Sequence, residues 1–330
     1  MKKNILYLLP VVMMALALVS CSKDEIKSES VISVDNYVPN EFDLWLEENY
    51  RNPYNIDFKY RYEEIESDLN YYTVPATYEA SVKMAHLVKY LCVETYNEVA
   101  GIEFTRSQFP KMFFLIGEWE YRNNGSFILG TAEGGRKILL SGLTYLEPIL
   151  EGKTEYNDFP FEFGSDIAEN LNHYYIKTIH HEFTHILNQT KDYPTSFRQV
   201  TPSSYVSDSQ FSEPYNSAYL KRGFISAYAQ TNTAEDFAEM VSEYVTHSPE
   251  WWEAQMKAAD GKWSDDPDQE QTGRVLIEQK LDITREYMYT IWNIDLDRLR
   301  ESILRRQVDI TSGKIDLTDL TLKSTKIATK

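Results

Sequence analysis

Two short runs, His181-Glu182-Phe183-Thr184-His185 and, about fifty residues on, Glu235-Asp236-Phe237-Ala238-Glu239, constrain this chain more than anything else in it. A helix turns about 100° per residue, so four steps bring His181 and His185 to within about 40° of one another. Both imidazoles can then reach one metal ion, at Zn–N distances of about 2.0–2.1 Å. Glu182 is turned about 100° from His181, too far round to join as a ligand but well placed to touch a metal-bound water. Two nitrogen ligands with a carboxylate base beside them are parts of a zinc hydrolase site.

The surroundings favour a helix over a chance match. Asp166 can cap a helix running to about Leu187, with Glu169 three residues on as the other half of a capping box. Ile179, Phe183 and Ile186 form an apolar stripe that would bury against a sheet. The two motif histidines lie on a different face, beside Thr178, and no Pro or Gly interrupts the run. His180 points away from any metal held by its neighbour, and His180 and His173 read as solvated or hydrogen-bonded helix residues.

A catalytic zinc takes three protein ligands and a water, so a third ligand is required. The metzincin continuation, with Gly and then His after the second histidine, is closed here by Asn188 and Lys191. The better source is a second predicted helix, Thr231 to Val245, capped by Asn232 or Thr233. Phe237, Met240, Val241, Tyr244 and Val245 repeat at helical spacing, and Glu235 and Glu239 stand one turn apart on the other face. Taken alone, the two glutamates would be a solvated acidic face.

The stretch Ser226-Ala227-Tyr228 through Asn232, Glu235, Phe237, Ala238 and Glu239 resembles the third-ligand segment of the anthrax-lethal-factor-like gluzincins. That family pairs it with an H-E-F-x-H helix. The resemblance implies Glu235 as third zinc ligand, Tyr228 as the phenol that stabilises the oxyanion, and Glu239 as a carboxylate orienting a liganding histidine. It covers roughly sixty residues of the 330, all in the active-site core. With its N-terminus, the whole chain also resembles the zinc metallohydrolase lipoproteins associated with outer-membrane nutrient import.

That N-terminus places Lys2 and Lys3 before an apolar run from Ile5 to Val19, the length of a signal-peptide core and short for a membrane span. Leu18-Val19-Ser20-Cys21 resembles a lipobox, which makes residues 1–20 a lipoprotein signal peptide and Cys21 the lipidated residue. Several acyl chains on one residue give stable anchoring. Ser22-Lys23-Asp24-Glu25 resembles an acidic export signal, which favours the outer surface of the outer membrane. Residues 21–39 read as a polar tether, and 40–330 as a single catalytic domain.

Loss of Lys2 and Lys3 with the signal takes the net charge from −18 to −20. A chain this acidic is not expected to bind nucleic acid or anionic lipid through a basic patch. Cys92 is the only cysteine besides Cys21, so a core and not a disulfide must hold the fold.

Ahead of the motif helix, a short helix is predicted at Glu41–Tyr50 and a longer one at Glu79–Val99, the second burying Cys92. Strands are predicted at Tyr54–Tyr62, Lys111–Ile116, Ser126–Thr131 and Arg136–Leu140. The last two would join through a Glu133-Gly134-Gly135 turn, since no Gly-Lys-Ser/Thr follows to make a phosphate loop. Arg136–Leu140 is the candidate edge strand for an extended peptide. Gly273–Arg306 reads as a long amphipathic helical stretch completing the lobe.

The sum is an α+β, zincin-like domain: a twisted mixed sheet packed on the motif helix, with further helices at the C-terminus. The expected function is a zinc-dependent metallohydrolase, cleaving peptide or protein substrates and lipid-anchored at the cell envelope. Partners would be the membrane and an outer-membrane import receptor, not nucleic acid. Two alternatives stay open: a non-catalytic surface lipoprotein that helps capture ligand for that receptor, and an amidase acting on cell-wall peptides.

Overall fold

A computed structural model describes residues 38–322, apart from 69, 124–125, 156–163 and 208–211. The signal, Cys21 and most of the tether lie outside the described residues. Among those described, no helix is long and apolar enough to cross a membrane. Asn40–Lys330 clusters as one compact unit.

The sheet is built from short apolar runs. Strands β1 (Asp57–Lys59), β2 (Met112–Leu115), β5 (Gly130–Glu133) and β6 (Lys137–Leu140) assemble in the order β1-β2-β6-β5, while β3 (Glu120–Tyr121) and β4 (Phe127–Ile128) form a separate ribbon. β1, β2 and β6 are parallel and β5 is antiparallel to β6. Strands buried on both faces are apolar and lack alternation, and β2 and, after Lys137, β6 follow this rule. Phe113, Leu115, Ile138 and Leu140 enter the main core, while Phe114, Ile116 and Leu139 form a smaller cluster with Tyr62 on the other face. Gly134 and Gly135 both have positive φ, 58° and 67°, the conformation a tight β5–β6 turn needs and glycine accepts without cost.

Sheet order corrects one expectation. The Arg136–Leu140 run becomes β6, which is bonded on both sides by β2 and β5, so the edges are β1 and β5, and β5 is the one beside the motif helix. The predicted Ser126–Thr131 strand divides between β4 and β5, and only Asp57–Lys59 of Tyr54–Tyr62 is strand.

The helices include α1 (Glu41–Leu46), α2 (Tyr78–Val88), α3 (Glu94–Ala100), α4 (Ile167–Leu171), α5 (Lys177–Thr190), α6 (Thr233–Thr246), α7 (Pro249–Ala258), α8 (Gly273–Trp292) and α9 (Leu296–Thr311). A π-helical turn, Lys89–Val93, joins α2 to α3, and another, Asn172–Ile176, joins α4 to α5. The predicted Gly273–Arg306 helix is two, because Asn293 takes a left-handed conformation, φ 56°, that closes α8. Asp166 caps α4, accepting from the backbone of Ala168 and Glu169, but the Glu169 carboxylate faces His247 at 3.4 Å.

The apolar stripe of α5 is buried as expected: Ile179 and Phe183 are inaccessible and Ile186 nearly so. Phe183 packs edge-on against Tyr96 of α3 and against Phe109, at ring distances of 4.9 and 4.8 Å, so a helix and a loop help to cover the stripe. The sheet meets α5 at β5, where Gly130 comes so close to Thr178 that a β-carbon would sit 2.9 Å from its methyl. On its other side α5 packs against α6. A fully buried ion pair, Lys280 Nζ to Asp236 Oδ2 at 2.6 Å, pins α6 to α8. Together these contacts set the spacing between the two helices that carry the motifs.

Candidate metal centre

His181 and His185 project from α5 as the helical period requires, and Glu235 projects from the first turn of α6. Asn232 starts α6 by accepting from the backbone N–H groups of Ala234 and Glu235 at 2.9 and 3.1 Å, so the cap directly orients the residue carrying the third donor. The donor atoms converge. Glu235 Oε2 lies 2.9 Å from His181 Nε2 and 3.1 Å from His185 Nε2, and the two nitrogens are 3.0 Å apart. Among the described residues this is the one group of three His, Cys, Asp or Glu side chains able to hold a metal ion.

The protonation chemistry of that triangle tests whether a cation fits. Nδ1 of His181 stands 2.8 Å from Glu239 Oε1, off the line of an ideal hydrogen bond; a carboxylate only accepts, so a proton on Nδ1 is what makes this approach attractive. Neutral His181 then turns a bare lone pair on Nε2 toward the Glu235 carboxylate. Two lone pairs at that distance repel unless a cation lies between them. Ligands on a tetrahedral zinc, with bonds of 2.0–2.1 Å, stand about 3.3 Å apart, slightly wider than these atoms are. With no metal the only substitute is a second proton. Burial opposes a charge on His181, but its bonds to Glu235 and Glu239 outweigh this and raise its pKa to about 10. Burial likewise opposes charge on Glu235, and His181 and His185 reverse it, lowering that pKa to about 2. The donor set therefore suits zinc.

Glu182 is turned out of the triangle, as its place in the helix requires. Its Oε2 accepts the backbone N–H of Ala132 on β5 at 2.9 Å. Burial raises its pKa above the usual carboxylate value, with His181 and His185 pulling the other way. A cleft of about 410 Å³ opens here, lined by Ala132, Glu182, His185, Asn188, Asp192 and Glu235 among others.

Tyr228 sits in a single 3-10 turn, Tyr228–Gln230, ahead of α6. Its ring centre is 5.9 Å from that of His181. Burial and then Glu235 raise its pKa, so the phenol keeps its proton at neutral pH. Ser226 fastens this turn: its hydroxyl donates to Glu239 Oε2 at 2.7 Å and accepts from the Ala229 N–H at 3.0 Å.

All six residues singled out between 181 and 239 thus meet in one place, while Cys21 lies outside the described residues. His180 is buried, with Nδ1 3.1 Å from the Tyr96 hydroxyl, and His173 is exposed. Three contributors escaped the sequence reading: the N–H of Ala132, the hydroxyl of Ser226, and Lys177, whose amine reaches Glu239 Oε2 at 3.1 Å. The signal for Lys177 was its position one helical turn before His181. Nothing local signals that Ala132 approaches Glu182, since sheet and helix are distant in sequence.

A family model described as "Putative zinc-binding metallo-peptidase" matches residues 35–297. Among solved structures, the chain is similar to one described as a putative zinc-binding metallo-peptidase from Bacteroides caccae, at 35% identity and a TM-score of 0.66, over 88% of this chain and 100% of that one. No curated protein sequence matches.

Proposed function

The chain belongs to the zinc-binding metallo-peptidase family whose model spans residues 35–297, and on that premise we propose a peptidase of gluzincin type with the zincin arrangement of helix and edge strand. His181, His185 and Glu235 hold the zinc. The observation that carries this is the convergence of their three donor atoms to within about 3 Å of one another, in a protonation pattern that a cation satisfies.

Zinc held there would lower the pKa of a bound water toward about 7 and supply a Lewis acid for the scissile carbonyl. Glu182 accepts a proton from the attacking water and passes it to the leaving amine, a transfer suited to a carboxyl whose pKa burial has raised. Tyr228 donates a hydrogen bond to the developing oxyanion. Glu239 accepts the Nδ1 proton of His181, fixing its tautomer and leaving Nε2 free for the metal.

The substrate is an extended peptide or protein. β5 is the open edge of the sheet beside the cleft, and an unpaired edge recognises main chain by adding a strand. The chain is anchored through Cys21 after loss of residues 1–20, with 21–39 as tether, at the surface of the outer membrane, where it would work beside an import receptor. Incubating the purified protein with a peptide library, with and without a chelator, tests the activity. Chelator-sensitive cleavage supports it. Ligand binding without cleavage would favour a binding lipoprotein, and cleavage confined to cell-wall peptides would favour an amidase.

A further inference from the structure

Lys177 opens α5 one turn before His181, on the face that meets α6. Its amine lies 3.1 and 3.4 Å from the two oxygens of Glu239 and 2.9 Å from Glu243 Oε1. Glu239 and Glu243 are one turn apart on α6, and both are buried, so a single cation bridges two carboxylates that would otherwise face each other. Every oxygen of Glu239 is engaged: Oε1 by His181 Nδ1 and Lys177, Oε2 by Ser226 and Lys177. Glu243 continues outward to His247 Nδ1 at 3.2 Å.

We infer that Lys177 is a positioning residue for the metal centre: it holds Glu239 against Nδ1 of His181 and thereby sets how firmly His181 presents Nε2 to zinc. The inference rests on the zinc reading of His181, His185 and Glu235. Its physical basis is that like charges one turn apart repel, most strongly where water is excluded. Without the ammonium, Glu239 swings away from Glu243 and from the imidazole, and His181 loses the partner that fixes its ring.

The sign of the effect separates positioning from simple charge. A lysine near a dication repels it, so by charge alone Lys177→Met would tighten zinc binding. Positioning predicts the reverse, a weakening of about tenfold, at the low end for residues that support metal ligands.

The experiment is zinc affinity by chelator competition on the full chain, for wild type, Lys177→Met, Lys177→Arg, Glu243→Gln and Glu235→Ala. Lys177→Met is expected to bind about tenfold more weakly. Lys177→Arg is expected to recover most of that loss, and Glu243→Gln to stay near wild type because Lys177 keeps Glu239. Should Lys177→Met fail to fold, Lys177→Gln makes the same comparison. Zinc binding by Lys177→Met as tight as wild type or tighter overturns the inference, as does a purely structural result in which the metal-free protein melts lower with affinity unchanged. If wild type and Glu235→Ala bind zinc equally, the reading of the site itself is wrong, and the role of Lys177 falls with it.

Discussion

The backbone N–H of Ala132 donates to Oε2 of Glu182 at 2.9 Å, joining the edge strand of the sheet to the carboxylate beside the metal-ligand triangle. The contact links two parts of the proposed site that sequence keeps about fifty residues apart. A strand-like peptide on β5 would lie alongside Glu182, close to where a proton must move. In the free protein the same N–H holds the carboxylate in place.

Removal of the proposed third ligand has a direct expected outcome. Wild type should carry about one zinc per chain, and Glu235→Ala, left with two nitrogen ligands, should lose most of it. Metal analysis of dialysed protein checks this. Unchanged zinc in the variant would move the third ligand elsewhere on α6, to Glu239 or Glu243.

Tyr228→Phe removes one hydrogen-bond donor and leaves the ligands in place. Turnover should fall by up to about 10²-fold, the scale seen for loss of one oxyanion donor, with KM and zinc content little changed. A rise in KM at constant kcat would instead make Tyr228 a substrate-binding residue.

Much of this site was legible because it depends on local periods. His181, Glu182 and His185 need only the turn of a helix, and Asn232 is a strong capping residue placed where α6 begins. The breaks in the long helices were less visible: the π turns at Lys89–Val93 and Asn172–Ile176 contain no Pro or Gly, and Asn293 ends α8 by a conformation that several residues could have avoided. Sheet order was not legible at all. Whether β5 or β6 is the edge depends on where β2 pairs, and that pairing joins Met112 to Lys137 across an intervening ribbon. Lys177 had one local sign, its place one turn before His181, but its partners Glu239 and Glu243 are met only when α6 is laid against α5.

Glu120 gives a test of stability away from the metal. It is almost fully buried on β3, and burial first, then Asp68 and Glu133, raise its pKa from 4.5 to about 7. Between those two values the folded state binds more protons than the unfolded state, so this group's contribution falls as pH rises from about 4.5 through 7. Glu120→Gln keeps the neutral shape at every pH. It should stabilise the protein at pH 8 by on the order of 2 kcal/mol and make little difference at pH 4. Paired thermal melts at the two values check this; equal shifts at both would remove the buried-carboxyl account.

Anchoring is tested at Cys21. Cys21→Ala should block lipidation and release the protein into the soluble fraction, since a short apolar leader is a poor membrane span. Retention of the variant in membranes after a high-salt wash would contradict lipid attachment at this residue.

The central claim is that Glu182 moves the proton in a zinc-dependent hydrolysis. Glu182→Gln preserves shape and leaves His181, His185 and Glu235 untouched, so zinc should bind as in wild type. It removes a base whose contribution is about 10²–10⁴-fold. The deciding measurement is the turnover number of zinc-loaded Glu182→Gln beside zinc-loaded wild type, on a peptide that wild type cleaves. The account predicts a fall of at least about 10²-fold at equal zinc content; turnover within a few-fold of wild type would contradict it.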